Sequence, residues 1–387
     1  MNSLLMKKII KIVAIILACV IIVAGGISIG LWEYGKDVYA INKADNQAYQ
    51  QAHMEYLREE FYNDYTPVNE QAFCDFDLEQ ALNSGVRYNE VAFLATHNSY
   101  QRLVTETTLK YQIPFKVLSL GLKDFNKDDF ESDTLTNQFE QGIRSIEIDV
   151  EAREENGKTT FTVMHKPVFD SATTCLDFAT ALDEIILWSE HNPNHLPISI
   201  LIESKQDVAP LDGLKIFGIE HVEAFDNLLK EKLGDKLLTP SHFLDGCATF
   251  EEMRETRGWL PLKDMLGKVV VILHKTGMTE KYVERDRLLR TQAMIPSVEY
   301  KQRNKDYAGI VIDNNPKKAL KRMDFYSDGN YIVRTRADSY PKWSKERYEF
   351  MEKCSSQIVT TDFPPRTSGV RPSQRTYSFG GYTVKLI

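Results

Sequence analysis

Residues Ser145–Val150 read S-I-E-I-D-V, and this stretch decides how the chain folds. Side chains alternate along an extended strand, so Ile146, Ile148 and Val150 share one face while Glu147 and Asp149 share the other. Two acids side by side on a buried strand are costly unless positive charge lies between them. Working outward, Ala95-Thr96-His97-Asn98-Ser99 lies upstream and Met164-His165-Lys166 downstream. A third acid ends the run Ile198-Ser199-Ile200-Leu201-Ile202-Glu203.

Short apolar runs of this kind recur along the chain. They are Val91–Thr96, Ile143–Val150, Thr160–His165, Pro197–Glu203, Val269–His274, Ala308–Asp313, Tyr331–Arg336 and Gln357–Asp362. Helical periodicity fills several gaps, at Leu176–Glu190, Val222–Leu233 and Trp343–Lys353. Buried strands alternating with helices predict an α/β chain, an irregular (β/α)₈ TIM barrel. The irregularity lies at Glu151–Thr159, which has room only for a loop and carries the turn signal Asn156-Gly157. Active sites of such barrels form at the C-terminal ends of the strands. On this reading four consecutive strands deliver His97, Asn98, Glu147, Asp149, His165 and Glu203 to one rim.

Ahead of the barrel, Ile9–Leu31 is apolar apart from Lys11, Ser28 and glycines, and follows Lys7 and Lys8. A run of about 20 apolar residues suits a bilayer-spanning helix. The preceding lysines orient its N-terminus to the cytoplasm and the remainder outside. Val23-Ala24-Gly25-Gly26 is a poor signal-peptide cleavage site, so an uncleaved anchor is expected, with secretion the outcome if it is cleaved. The expected organisation is an anchor over 1–32, a juxtamembrane stalk over 33–83, the barrel over 84–372 and a tail over 373–387. The formal charge of −8 argues against a general nucleic-acid partner. The five cysteines show no C-x-x-C spacing, which argues against a zinc site; disulfides in an external domain and buried free thiols are both open, and nothing in the sequence fixes a pairing.

Asn98, Glu147, Asp149 and Glu203 offer oxygen ligands that suit a hard cation, Ca²⁺ more than Mg²⁺. A cation there, with His97 and His165 across a phosphorus atom, makes a metal-assisted phosphodiester site. In this pattern the chain resembles the calcium-dependent phosphatidylinositol-specific phospholipase C family. A His-Asn pair after the first strand, an acid-x-acid pair on the second, a His ending the third and a Glu ending the fourth all match. The ending Gln357-Ile358-Val359-Thr360-Thr361-Asp362-Phe363 is similar to the family's last strand. The metal-free bacterial branch has arginine where this chain has Asp149, so the carboxylate points to the Ca²⁺-dependent form.

The resemblance implies attack of the inositol 2-hydroxyl on phosphorus, releasing diacylglycerol. It implies His97 as transition-state stabiliser, His165 as general acid and Glu147 or Glu203 as base. It also implies that Lys205, Lys275, Arg334, Arg336 and Tyr340 hold a phosphoinositide or related phosphodiester lipid. Surface or salt-bridge roles fit Lys205, Arg334 and Arg336 equally well, and His274 is ambiguous. A glycerophosphodiester phosphodiesterase on the same barrel is the alternative, but it expects His-Arg-Gly where this chain reads His97-Asn98-Ser99. A catalytically inactive, membrane-tethered binding barrel is the other.

Overall fold

The computed structural model describes residues 3–118, 131–206, 211–338, 344–365 and 376–387, with side chains from residue 25 onward apart from residue 118. Ten strands are used below: β1 (Val91–Thr96), β2 (Ser145–Glu155), β3 (Lys158–Val163), β4 (Ile198–Ser204), β5 (Val269–Leu273), β6 (Ile295–Glu299), β7 (Ile310–Ile312), β8 (Ile332–Arg336), β9 (Ile358–Thr361) and β10 (Val384–Leu386). Parallel pairing runs β1-β2-β4-β5-β6-β7-β8-β9 and returns to β1, so eight strands close a barrel. The closing seam is thin. β1 meets β2 only at Ala95↔Ser145, and below that point β10 pairs antiparallel with Val91–Phe93.

The alternation in Ser145–Val150 sets the two layers. Ile146, Ile148 and Val150 pack with Ile200, Ile202 and the helix residues Leu182, Ile185 and Trp188. That helix, Phe178–His191, starts at Asp177, whose carboxylate accepts from the Thr180 N–H at 2.8 Å. Each such apolar side chain contributes ~1.5–3 kcal/mol by leaving water. This layer fixes the strand's rotation and so turns Glu147 and Asp149 to the opposite, inward face.

Two strand assignments change. Thr160–His165 is not a barrel stave: β3 folds back antiparallel on β2, with register Val150↔Val163 to Glu155↔Lys158. Asn156 (φ 52°) and Gly157 (φ 76°) supply the two left-handed residues that a tight hairpin turn demands. The missing stave is β6, whose short I-P-S-V-E segment shows no alternation. Three staves and one hairpin therefore carry the six polar residues, rather than four staves.

Helix α1 spans Ser3–Tyr56. Among the described residues no helix is long and apolar enough to cross a membrane. The expected anchor falls largely on residues 1–24, whose side chains lie outside the described set. Beyond it the chain does not hang free as a spacer: Val38, Tyr39, Asn42, Asn46, Gln50, Met54 and Leu57 are all buried. Cys74, Cys175, Cys247 and Cys354 are free thiols.

At the barrel's other end, Arg144 is fully buried and ties the N-terminal segment down. Its guanidinium pairs with Glu70 at 2.5 Å, donates to the Phe139 and Ile143 carbonyls, and lies over the Phe73 and Trp188 rings. Removing one partner of a buried pair leaves an uncompensated charge, so Arg144→Ala is expected to cost about 3–5 kcal/mol of unfolding free energy. Urea denaturation measures this, and Arg144→Ala/Glu70→Gln recovers part of the loss. Equal losses in the single and double variants would exclude charge as the cause.

Candidate active site

His97 and Asn98 leave β1 in a sharp turn, with Asn98 in the left-handed region at φ 44°. Reciprocal bonds register this turn on β2. The Ser99 N–H donates to the Glu147 carbonyl, the Glu147 N–H donates to the Ser99 hydroxyl, and both span 2.9 Å. From the other side, the His97 N–H donates to the Thr361 carbonyl at 3.2 Å.

The His97 imidazole places Nδ1 2.8 Å from Asp362 Oδ1, and Arg336 holds Asp362 Oδ2 at 3.0 Å. A carboxylate on Nδ1 fixes the tautomer and turns Nε2 outward for chemistry. Behind it, Asp338 accepts from the Asp362 N–H at 2.7 Å, the Thr361 hydroxyl at 2.5 Å and the Tyr348 hydroxyl at 3.0 Å. Burial, together with the Asp362 charge, pushes Asp338 up to about 6.

The acids of β2 and β4 face each other in register, Asp149 beside Glu203. The Lys205 ammonium lies 2.5 Å from Asp149 Oδ2 and 3.3 Å from Glu203 Oε1. Glu147 is paired with the buried Arg334 guanidinium, which also donates to Thr360 Oγ1 at 2.8 Å. Burial alone would raise Glu147, but Arg334, then His97 and His274, outweigh it and hold the carboxyl at about 2. Asp149 is raised, because its burial outweighs the attraction of Lys205.

His274 follows β5, and its Nδ1 lies 3.9 Å from Glu203 Oε2. Burial lowers it to about 4 despite Glu147 and Glu203, so the ring is neutral near pH 7, the form that binds metals. Candidate ligand atoms of Glu147, Glu203 and His274 lie within 4.8 Å of one another. Asp149 Oδ1 is buried beside them without a hydrogen-bond partner among the described residues. The carboxylates suit a hard divalent cation, and the imidazole of His274 is a nitrogen donor of the kind transition metals favour.

His165 leaves the hairpin strand β3, and its Nδ1 lies 2.6 Å from Asp170 Oδ2. It stands two residues past Val163, the partner of Val150 in the hairpin, and so beside the part of β2 that carries Asp149. Both histidines thus carry a carboxylate on Nδ1.

The expected substrate-binding residues are distributed differently. Arg334 is committed to Glu147, Arg336 to Asp362, and Lys205 to Asp149 and Glu203. Lys275 pairs with Glu299 at 2.8 Å. Tyr340 lies outside the described residues. Asn98 is buried, and its amide donates to Gln101 at 3.1 Å.

Sequence reasoning did not assign Asp362, Asp170 or His274 to the site. Asp170, five residues after His165, carries a weak local signal. Asp362 and His274 each end a predicted strand run, which is the position that could have marked them.

The family model for Ca²⁺-dependent phosphoinositide phospholipase C matches residues 151–386. No curated protein matches the chain significantly. Among solved structures, the calcium-dependent phosphoinositol-specific phospholipase C of a Gram-negative Pseudomonas species superposes with a TM-score of 0.56 at 16% identity, covering 83% of this chain and 100% of that one. The Ca²⁺-dependent phosphatidylinositol-specific phospholipase C of Streptomyces antibioticus superposes with a TM-score of 0.50 at 16% identity, covering 71% and 94%. These likenesses speak to the fold, while the family match extends over more than half of the chain. The chain belongs to the Ca²⁺-dependent phosphoinositide phospholipase C family, enzymes that cleave the phosphodiester of inositol lipids with calcium as cofactor.

Proposed function

We propose that the barrel rim cleaves phosphatidylinositol-type lipids by attack of the inositol 2-hydroxyl on phosphorus, releasing diacylglycerol and a cyclic inositol phosphate. The observation that supports this reading is that the strand ends bearing the buried acids adjoin two imidazoles, each with a carboxylate on Nδ1. Glu147, Asp149 and Glu203, with Asn98 and His274 beside them, are the residues that would hold Ca²⁺. When bound, Ca²⁺ neutralises phosphoryl charge and acidifies a hydroxyl. Every proton is moved by the chain's own side chains.

His97, held by Asp362, offers Nε2–H to the non-bridging oxygen where charge develops. His165, held by Asp170, protonates the glycerol oxygen as it leaves. Glu147, held at about 2 beside Arg334, is a poor proton acceptor. Glu203, partly open to solvent at the rim, therefore takes the 2-hydroxyl proton. Lys205 compensates the acids rather than gripping substrate, and Arg334 and Arg336 hold Glu147 and Asp362 in place. Lys275 and Tyr340 remain the candidates for contact with the inositol headgroup. Residues 9–31 serve as an uncleaved anchor that keeps the barrel at the outer face of its own membrane.

Phosphatidylinositol vesicles assayed by ³¹P NMR test this directly. A cyclic inositol phosphate is expected with calcium and not with excess chelator. Cleavage of glycerophosphodiesters instead, or of nothing, would contradict the reading. His97→Ala and His165→Ala should each lower kcat by about 10²–10⁴-fold without loss of fold.

The acids make a separate, pH-dependent prediction for the metal-free protein. A carboxyl held below its unfolded value stabilises the fold above that value, and the contribution is lost as pH falls through the folded one. For Glu147 the window runs from roughly 4.3 in the unfolded chain down to about 2. Arg334→Met removes the compensation and leaves Glu147 charged and unpaired at neutral pH, so the variant should be destabilised there and the gap to the wild type should shrink as pH falls from roughly 4.3 towards about 2. Lys205→Met should lower Tm without metal, and added calcium should restore it. A gap that does not shrink, or an unchanged Tm, would show that these bases are not the counter-charges.

A further inference from the structure

The turn after β3 reads His165-Lys166-Pro167-Val168-Phe169-Asp170, and it stores strain. Val168 adopts φ 68°, a left-handed conformation that a β-branched residue rarely reaches. Lys166 and Asp170 exchange backbone bonds of 2.9 and 3.0 Å across the turn. The result sets Asp170 Oδ2 2.6 Å from His165 Nδ1. Strain of this kind persists only where the surroundings over-determine it.

Helix α1 supplies those surroundings. Val168 is buried in a cluster with Val38 and Tyr39 of α1, and with Tyr111, Met164 and Leu176. Gly35 permits the close approach, since a Cβ there would lie 2.8 Å from the Tyr111 hydroxyl and 3.3 Å from Val168 Cγ1. One turn further on, the contact becomes polar. Asn42 donates to Ser171 Oγ at 3.0 Å. Asn46 donates to the Ser171 carbonyl at 2.7 Å and accepts from the Thr173 N–H at 3.1 Å. Gln50 binds both backbone groups of Asp177, at 3.0 and 2.8 Å.

These three amides recur every four residues, so they line one face of the helix. Asparagine is a poor helix former and costly to bury without partners. Two of them inside α1, each bonded to the segment just past Asp170, mark a surface built to hold that segment.

We propose that α1 is a positioning element of the active site: its Gly35–Gln50 face clamps the strained turn that sets Asp170 against His165. The inference rests on His165 being the general acid. Because α1 runs unbroken from Ser3, it also links the apolar stretch at residues 9–31 mechanically to the group that protonates the leaving oxygen.

The test uses full-length protein and two substrates with different leaving groups. Phosphatidylinositol expels a poor alkoxide and needs a well-placed acid, whereas 4-nitrophenyl inositol phosphate expels a stable phenolate and does not. Gly35→Leu wedges the helix away from Val168, and Asn46→Ala removes the polar clamp with less risk to folding. Each is expected to lower kcat on the lipid by about tenfold or more, with KM little changed and the nitrophenyl ester turned over at nearly the wild-type rate. Val168→Gly, which relieves the strain, should recover part of the loss in the Gly35→Leu background.

His165→Ala is the control and must show the same selective loss on the lipid. If it loses both substrates equally, the general-acid assignment falls and the clamp with it. If His165→Ala is selective and the clamp variants are not, the clamp alone is overturned. Unfolding of both clamp variants would also overturn it, because α1 would then be a general stabiliser.

Discussion

Glu147, Asp149 and Glu203 stand on neighbouring strands where the barrel interior meets the rim, and their mutual repulsion governs what surrounds them. The apolar layer on the opposite strand face fixes the rotation of β2, so the acids cannot turn to water. Positive charge must come to them instead. Arg334 reaches across from β8 and Lys205 extends from the end of β4. On the proposed reading a divalent cation would complete the same task. The site's basic residues and its proposed cation share one origin, negative charge in a place of low polarity, whereas His274 is neutral through burial, against the pull of Glu147 and Glu203.

The histidines are ordered by a different device. Each is held at Nδ1 by an acid from outside the metal group, Asp362 for His97 and Asp170 for His165. This separates the acids proposed to bind a cation from the acids that orient imidazoles. Arg336 and the Asp338 network fix Asp362 from behind. For Asp170 the fixing falls to a strained turn and to α1. The family match begins at residue 151, whereas the α1 face that touches this turn lies between Gly35 and Gln50.

Much of this was legible in the chain because strand alternation is local. S-I-E-I-D-V specifies which face the acids take, and I-S-I-L-I-E specifies the same for Glu203. The hairpin was harder to read. Asn156-Gly157 is a strong turn signal, yet Thr160–His165 is as apolar and β-branched as a true stave, and composition alone does not distinguish them. β6 escaped because five residues containing a proline and a serine show no period. Asp362 and His274 escaped because their roles depend on barrel closure, which brings residues far apart in sequence to one rim. The N-terminal segment misled for a related reason. Its Tyr, Gln and Asn content reads as a solvated stalk, but those amides are buried against loop backbone.

Anomalous diffraction from crystals soaked with calcium and an inositol phosphate analogue tests the shared-site claim most directly. One calcium peak is expected among Glu147, Asp149 and Glu203, with the imidazoles of His97 and His165 flanking a single phosphorus. A peak elsewhere on the molecule, or a phosphate out of reach of either histidine, would contradict it.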